Sequence, residues 1–127
     1  MRKKILIVED TKEALENLKD LLSFEGFEIS TAVNGVDAIQ KVYLYAPDLI
    51  ITDLRMPRMD GFDLITNLKR SDEMKSIPIV VFSANATLEN ELKSLQLGAV
   101  KFLKKPTPME LILSTVHGVL FPSKDEK

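Results

Sequence analysis

The sequence predicts an α/β fold in which five parallel strands form a doubly wound sheet, with five helices covering its two faces. Short apolar runs alternate five times with stretches whose apolar residues recur at helical spacing, and this order demands a parallel sheet. The first run, residues 5–8, is continuously apolar, which is typical of a strand buried on both faces. The chain has 127 residues, the size of one ordinary domain, and the five strand–helix units use almost all of them.

The first half of the chain predicts three strands separated by two helices. The first helix is expected to end at Gly26. Residues 28–33 alternate weakly, as a strand near a sheet edge does, and Asn34–Gly35 predicts a turn. Pro47 ends the second helix, and residues 49–51 form the third strand. The apolar stripes of the two helices consist of Ala14, Leu15, Leu18, Leu21 and Leu22, and of Val36, Ile39, Val42 and Tyr43.

The second half predicts two more strands and three helices. Asp60 is a suitable N-cap for the third helix. The fourth strand covers residues 77–82, the fourth helix closes at Gly98, and the fifth strand covers residues 100–103. Residues 107–110 combine a capping box with a proline at the first helical position, so they predict the start of the last helix. The three apolar stripes are Phe62, Ile65 and Leu68, then Leu88, Leu92 and Leu95, then Leu111, Ile112, Val116 and Leu120.

The composition excludes several classes of site. The 17 basic and 19 acidic residues leave a net charge of −2, which argues against direct binding to nucleic acid as the main role. With no cysteine and one histidine, His117, the chain lacks disulfides, thiolate metal centres and multi-histidine sites. No apolar run approaches the about 20 residues that cross a bilayer, so the expected location is the cytoplasm. Chemistry must therefore rest on carboxylates, lysines or hydroxyls.

Polar residues follow four of the five predicted strands. Ligands of open parallel sheets bind outside the carboxyl ends of the strands. Glu9 and Asp10 follow the first strand, Asp53 the third, Ser83 the fourth and Lys105 the fifth. Each has an ordinary role when taken alone, such as helix capping, a turn or a solvated charge. Because they fall at one edge of the sheet together, these ordinary roles become improbable.

Three carboxylates at one edge repel one another and require a cation among them. One lysine leaves a local charge of −2, which a divalent cation would neutralise. Ligands that offer only oxygen favour a hard ion such as Mg²⁺. A lysine and a hydroxyl opposite that ion would cradle phosphoryl oxygens, and the carboxylate of Asp53 could accept the phosphoryl group.

With these residues, the sequence resembles the receiver domain of two-component response regulators. The likeness extends over about residues 4–120, and its most specific part is the run from Asp53 to Gly61. The matching segments are residues 7–10 (IVED), 47–53 (PDLIITD), 56–61 (MPRMDG), 83–84 (SA), 98–99 (GA) and 105–106 (KP). The resemblance implies a flavodoxin-like sheet of strand order 2-1-3-4-5. It also implies one receiver domain over residues 1–122, followed by a polar tail over residues 123–127.

The resemblance assigns a role to each residue of the acidic edge. Asp53 would take a phosphoryl group from a phosphohistidine of a histidine kinase, Ser83 would contact the phosphoryl oxygens, and Lys105 would pair with them. Lys105 is preferred over Lys104 because it directly precedes Pro106, and the bond between them is expected to be cis. The implied Mg²⁺ ligands are Asp10, Asp53, the backbone carbonyl of Arg55 and, through water, Glu9.

The resemblance also implies an output mechanism. Phosphoryl charge would draw in the Ser83 hydroxyl, and Phe102 would then turn inward and reshape the face made by the fourth helix, fifth strand and fifth helix. A plain core role for Phe102 is an equal alternative. Arg55 and Asn85 stand at the two positions that tune phosphoryl lifetime in this family, and we hypothesise that Arg55 lengthens it.

The expected function is that of a signalling phosphoacceptor, not an enzyme. Its partners would be a sensor histidine kinase or phosphotransfer protein, and a downstream effector or an output domain missing from this chain. Two arrangements stay open: a stand-alone phosphorelay intermediate, or a receiver from a longer regulator. A phosphatase of the haloacid-dehalogenase type would need an aspartate at Arg55, and a flavin phosphate would be repelled by Glu9 and Asp10.

Overall fold

The five predicted strands form one parallel sheet in a computed structural model that describes residues 2–122. The sheet order is β2-β1-β3-β4-β5, which confirms the predicted topology. The strands are β1 (Lys4–Val8), β2 (Glu28–Ala32), β3 (Leu49–Thr52), β4 (Ile79–Ser83) and β5 (Lys101–Lys104). The helices are α1 (Lys12–Phe24), α2 (Gly35–Tyr45), α3 (Gly61–Lys69), α4 (Leu88–Leu97) and α5 (Met109–Leu120). The predicted tail, residues 123–127, lies outside the described residues.

A hydrophobic core lies on each face of the sheet. Residues 5–8 of β1 are at most 1% exposed, which confirms that this strand is buried on both faces. Leu6 and Val8 point into the core shared with α2 and α3, whereas Ile5 and Ile7 point into the core shared with α1 and α5. This alternation is the period of two that a strand imposes on its side chains. Both faces of β1 are therefore fixed, and the carboxyl end of the strand is held in place.

The strand register aligns the carboxyl ends of the strands, which the predicted site residues follow. Val8 is level with Thr52, and the Asp53 amide donates to the Val8 carbonyl over 3.1 Å. At the other side of the sheet, the Lys105 amide donates to the Ser83 carbonyl over 3.0 Å. Residues that follow β1, β3, β4 and β5 therefore leave the sheet at the same edge.

The starts of α3 and α2 can be compared with the predictions for Asp60 and for Asn34–Gly35. The carboxylate of Asp60 accepts a hydrogen bond from the Asp63 amide at 2.9 Å, so the predicted N-cap of α3 is confirmed. The turn predicted at Asn34–Gly35 is instead the start of α2. Asn34 caps that helix through a 2.8 Å bond from the Asp37 amide, because an asparagine oxygen suits an N-cap as well as a turn.

The capping box predicted at residues 107–110 is wrong. The hydroxyl of Thr107 donates to the carbonyl of Lys104 at the end of β5 and not to the first turn of the helix. Pro108 has an extended ψ of 144° and precedes α5, which begins at Met109 without a side-chain cap. The Thr107 hydroxyl that the capping box required is therefore bonded to the carbonyl at the end of β5 instead.

The leucine stripe of α4 is helical as predicted, but it faces solvent. Leu88, Leu92 and Leu95 are 70%, 51% and 38% exposed. The buried residue of this helix is Ser94, whose hydroxyl donates to the Glu91 carbonyl over 2.9 Å. The apolar spacing therefore identified the helix and not the side that packs on the sheet. Within residues 2–122, no helix combines the length and apolarity that crossing a bilayer requires.

Candidate functional site at the carboxyl edge of the sheet

A lysine bridges two carboxylates at the carboxyl edge of the sheet. Nζ of Lys105 lies 2.5 Å from Oε1 of Glu9 and 3.2 Å from Oδ2 of Asp53. The side chains are 20%, 6% and 13% exposed respectively, so all three charges are largely withdrawn from water. Charges in such surroundings interact more strongly than they do on an open surface. The structure thus brings together three of the residues predicted from the sequence.

The second oxygen of Asp53 is held by the backbone that follows it. Oδ1 accepts from the Leu54 amide at 2.6 Å and lies 3.4 Å from the Arg55 amide. The buried hydroxyl of Thr52 donates to the carbonyl of Asp53 over 2.8 Å. The start of α3 also packs against this turn, since a Cβ on Gly61 would overlap the Asp53 carbonyl. The aspartate is therefore fixed on both its side-chain and its backbone oxygens.

Ser83 and Asn85 form a short linkage after β4. Ser83 is 1% exposed, and its Oγ accepts a 3.1 Å hydrogen bond from the Asn85 amide. The Asn85 carbonyl in turn accepts from Nδ2 of Asn90 on α4, at 3.0 Å. The Ser83 hydroxyl keeps its own proton to donate. Phe102 is partly buried on β5 and packs against the core on the α2 and α3 face.

Burial and pairing have opposite effects on the pKa values of Glu9 and Lys105, and both values lie above the ordinary ones. Burial raises the pKa of Glu9 above its ordinary 4.5, although hydrogen bonds from Lys105 and the Thr11 amide oppose the rise. For Lys105, burial works to lower the pKa, but the bond to Glu9 and the charges of Asp53 and Glu9 outweigh it. The pKa of Lys105 is therefore raised above 10.5. The lysine therefore remains cationic at neutral pH. At Glu9, by contrast, the cost of burying the charge outweighs the stabilisation by its partners.

The third predicted acid stands apart from this cluster. Asp10 follows Glu9 on the same edge but is exposed. Within residues 2–122, no three acidic or histidine side chains are gathered closely enough to hold a metal ion by themselves. Glu9, Asp10 and Asp53 nevertheless follow adjacent strands and offer only oxygen, the donor that Mg²⁺ prefers. The donor chemistry therefore fits a hard divalent cation, whereas the side chains are not assembled around one.

Two residues near the site were missed by sequence reasoning. Thr52 and Phe82 lie inside apolar strands, where their types are ordinary. The Phe82 ring centroid lies 5.3 Å from Nζ of Lys105, and the Thr52 hydroxyl bonds the Asp53 carbonyl. Their position directly before Asp53 and Ser83 was the one signal that pointed to them. The expected cis peptide bond between Lys105 and Pro106 is confirmed.

The fold and site define a known class of signalling protein. A family model described as the response regulator receiver domain matches residues 5–117, so the chain belongs to that family. It is a receiver domain of two-component response regulators.

Individual relatives agree with this assignment. The transcriptional regulatory protein PrrA of Mycobacterium leprae is 32% identical over 117 residues, which are 92% of this chain and 49% of that protein. The chain therefore spans about half the length of this relative. The chemotaxis response regulator CheY4 of Vibrio cholerae has a TM-score of 0.88 and 29% identity, over 94% of this chain and 100% of that chain. The receiver domain of a histidine kinase from Syntrophus aciditrophicus has a TM-score of 0.88 and 34% identity, over 98% of this chain and 95% of that chain.

Proposed function

We propose that Asp53 accepts a phosphoryl group from a phosphohistidine on a sensor histidine kinase or a phosphotransfer protein. The observation that carries this proposal is the bridge from Lys105 to Glu9 and Asp53, at 2.5 and 3.2 Å. A carboxylate beside a fixed cation can take on a dianionic group whose charge the cation offsets.

The transfer itself is a substitution at phosphorus. A carboxylate oxygen of Asp53 forms a bond to phosphorus while the bond from phosphorus to the histidine nitrogen breaks. The nitrogen keeps the electron pair and then takes a proton from solvent. Lys105 pairs with the phosphoryl oxygens, the Ser83 hydroxyl donates to another, and the Leu54 amide holds the Asp53 carboxylate through its 2.6 Å bond.

A Mg²⁺ ion bound at this edge would neutralise charge on the phosphoryl oxygens. The residues that would hold it are Asp10, Asp53, the backbone carbonyl of Arg55 and, through water, Glu9. Glu9 and Asp53 already share one cation, Lys105, which limits their mutual repulsion before any metal arrives. We assign Asp10, exposed at the rim, the role of first contact for the ion.

The output is a change of surface and not a chemical product. Phosphoryl charge draws the Ser83 hydroxyl away from the Asn85 amide, and Phe102 on β5 turns toward the space released. The face of α4, β5 and α5 then binds an effector protein or an output domain. Its apolar content supports that role, because Leu88 and Leu92 on α4 and Leu111 on α5 are 49–70% exposed.

The chain would act as a cytoplasmic signalling phosphoacceptor that assists its own phosphorylation and dephosphorylation, and not as an enzyme with a separate substrate. A stand-alone phosphorelay protein and the receiver of a longer regulator would share this chemistry. The haloacid-dehalogenase alternative is disfavoured by Arg55, since an arginine cannot serve as the second acid of that mechanism.

The proposal is tested by intact mass measurement after incubation with a small phosphodonor and Mg²⁺. The native protein should gain one phosphoryl group, Asp53→Asn should gain none, and chelation of the metal should prevent the gain. Asp63→Asn, an exposed acid on α3, is the matched control and should be phosphorylated normally. No adduct on the native protein with any donor, or an undiminished adduct on Asp53→Asn, would overturn the assignment.

A further inference from the structure

The ring of Phe82 lies beside the ammonium of Lys105. Its centroid is 5.3 Å from Nζ, within the about 6 Å at which a cation is attracted to an aromatic face. Phe82 is on β4, directly before Ser83, so its side chain lies on the opposite face of the strand from that of Ser83. The residue therefore touches the site from the α1 and α5 side of the sheet.

The ammonium of Lys105 has three N–H donors, and two of them are used in hydrogen bonds to carboxylates. Glu9 Oε1 and Asp53 Oδ2 accept from Nζ at 2.5 and 3.2 Å. A lysine side chain has a flexible four-carbon stem, so two acceptors alone do not restrict it to one conformation. The Phe82 ring stands against Nζ as a third neighbour, and it offers attraction without adding a negative charge.

A neighbouring apolar cavity offers the Lys105 side chain an alternative position. A cavity of 650 Å³ lies between α1 and α5, and its lining includes Lys105 itself, Phe82, Leu18, Leu21 and Ile112. The lysine stem can shift along this apolar wall, because long cationic side chains readily lay their methylene groups on apolar surface. Phe82 is partly buried against the core on this face, so its ring is held by packing at the boundary between cavity and site.

We propose that Phe82 is a positioning residue, whose ring holds the Lys105 ammonium between Glu9 and Asp53 and away from the cavity. The proposal deepens the proposed function, and its consequence for phosphoryl transfer rests on that function. The aromatic face is the required property, so tyrosine and tryptophan should replace Phe82, whereas leucine and methionine should not.

The contact itself is tested by nuclear magnetic resonance without any phosphorylation. Aromatic ring currents should place the ε-methylene signal of Lys105 upfield of the other lysines in the native protein. Phe82→Leu and Phe82→Met should return that signal to the ordinary lysine position, and Phe82→Tyr should keep it upfield. A Lys105 signal that is ordinary in the native protein, or unchanged in both aliphatic variants, would overturn the proposal. Two aliphatic variants guard against one that packs poorly.

The consequence is tested by the rate of phosphoryl uptake from a small phosphodonor. Phe82→Leu should slow uptake about three- to tenfold, the size expected for one lost cation–π contact, and Phe82→Tyr should restore it. Phe62→Leu is the matched control: it removes the ring 4.2 Å from Nζ of Lys93 and should leave the rate unchanged. Uptake by Phe82→Leu at the native rate would overturn the positioning role. Absence of uptake by the native protein would instead overturn the proposed function, and the resonance experiment would still decide the placement of Lys105.

Discussion

Glu9 and Lys105 are 96 positions apart in the chain and form a 2.5 Å ion pair at the edge of the sheet. Burial nevertheless raises the pKa of Glu9, which means that its pairing does not fully repay the loss of hydration. The ionised form of this carboxylate, which pairs with Lys105, is therefore held in the fold at the expense of stability. Such a conflict is typical of groups that a fold retains for function.

Replacing Glu9 with glutamine should therefore stabilise the protein at pH 7. Glu9→Gln removes the buried charge but keeps an oxygen for Lys105, which still pairs with Asp53 at 3.2 Å. Because the folded-state pKa lies above 4.5, the folded protein binds more protons than the unfolded chain between 4.5 and that raised value. The stability of the native protein should fall relative to that of Glu9→Gln as the pH rises through this window, and the difference should then stay constant.

The measurement is the free energy of unfolding by denaturant, taken from pH 4 to pH 8. We expect Glu9→Gln to gain about 0.5–2 kcal/mol at pH 7, the usual range for relief of a functional strain. Glu16→Gln, an exposed acid on α1, is the control and should change little. A Glu9→Gln protein that is less stable than the native one at pH 7 would contradict the prediction.

Ser83 and Phe102 should respond to phosphorylation together. The Ser83 hydroxyl can turn from the Asn85 amide toward a phosphoryl oxygen, and the partly buried Phe102 ring can then move inward. The ring signals of Phe102 should shift when a phosphoryl mimic is added to the native protein, and should shift much less in Ser83→Ala. Identical Phe102 signals with and without the mimic would contradict the switch and leave Phe102 a core aromatic.

Arg55 should lengthen the life of the phosphorylated state. Its amide lies 3.4 Å from Oδ1 of Asp53, so the exposed side chain starts next to the acyl phosphate and can hinder the approach of water. Arg55→Ala should shorten the half-life of the adduct several-fold, as followed by intact mass after the donor is removed. Arg58→Ala alters another exposed arginine of the same loop and should leave the half-life unchanged. Equal half-lives for Arg55→Ala and the native protein would refute the role.

Most of the site could be predicted because parallel topology gathers strand ends. Once the strands were recognised from continuous apolar runs, Glu9, Asp53 and Lys105 had to leave one edge of the sheet, although they are far apart in the chain. Which partner each polar side chain binds could not be predicted from the sequence. The carboxylates of Glu9 and Asp53 meet at Lys105, whereas Asp10 is exposed.

The predictions failed where the outcome depended on contacts that the local sequence pattern does not determine. Thr107 satisfied the capping-box pattern, but the carbonyl of Lys104 lay within reach and took its hydroxyl. The contact of Phe82 with Lys105 depends on the path of a lysine side chain from a neighbouring strand, and no local pattern records that path. Periodicity in α4 likewise reports a helix without saying which of its sides meets the core.

The outward direction of the α4 leucines can be tested by stability. Leu92 is 51% exposed, so Leu92→Ala should change the free energy of unfolding by less than about 0.5 kcal/mol. The same substitution at Leu64 on the neighbouring α3, which is 0% exposed, should cost about 2–5 kcal/mol. Denaturant unfolding of the two variants gives both values. A large loss for Leu92→Ala would mean that the side chain is buried and not available to a partner.

A pair of glycine substitutions tests how closely α3 approaches the phosphoacceptor. At Gly61, a Cβ would overlap the Asp53 carbonyl and lie 2.8 Å from Cα of Leu54. Gly61→Ala should therefore push the turn that holds Asp53 and lower the free energy of unfolding by about 1–3 kcal/mol. It should also slow phosphoryl uptake, because the Leu54 amide that holds the Asp53 carboxylate would move with the turn.

Gly118 in α5 provides the matched substitution with the opposite sign. A Cβ there would meet no atom within 4 Å, so alanine brings only its better helix propensity. Gly118→Ala should raise the free energy of unfolding by about 0.5–1 kcal/mol and leave phosphoryl uptake unchanged. Denaturant unfolding and the uptake assay, run on both variants, separate the two effects. If Gly61→Ala matched the native protein in stability and in uptake, the close contact between α3 and Asp53 would have no part in holding the phosphoacceptor.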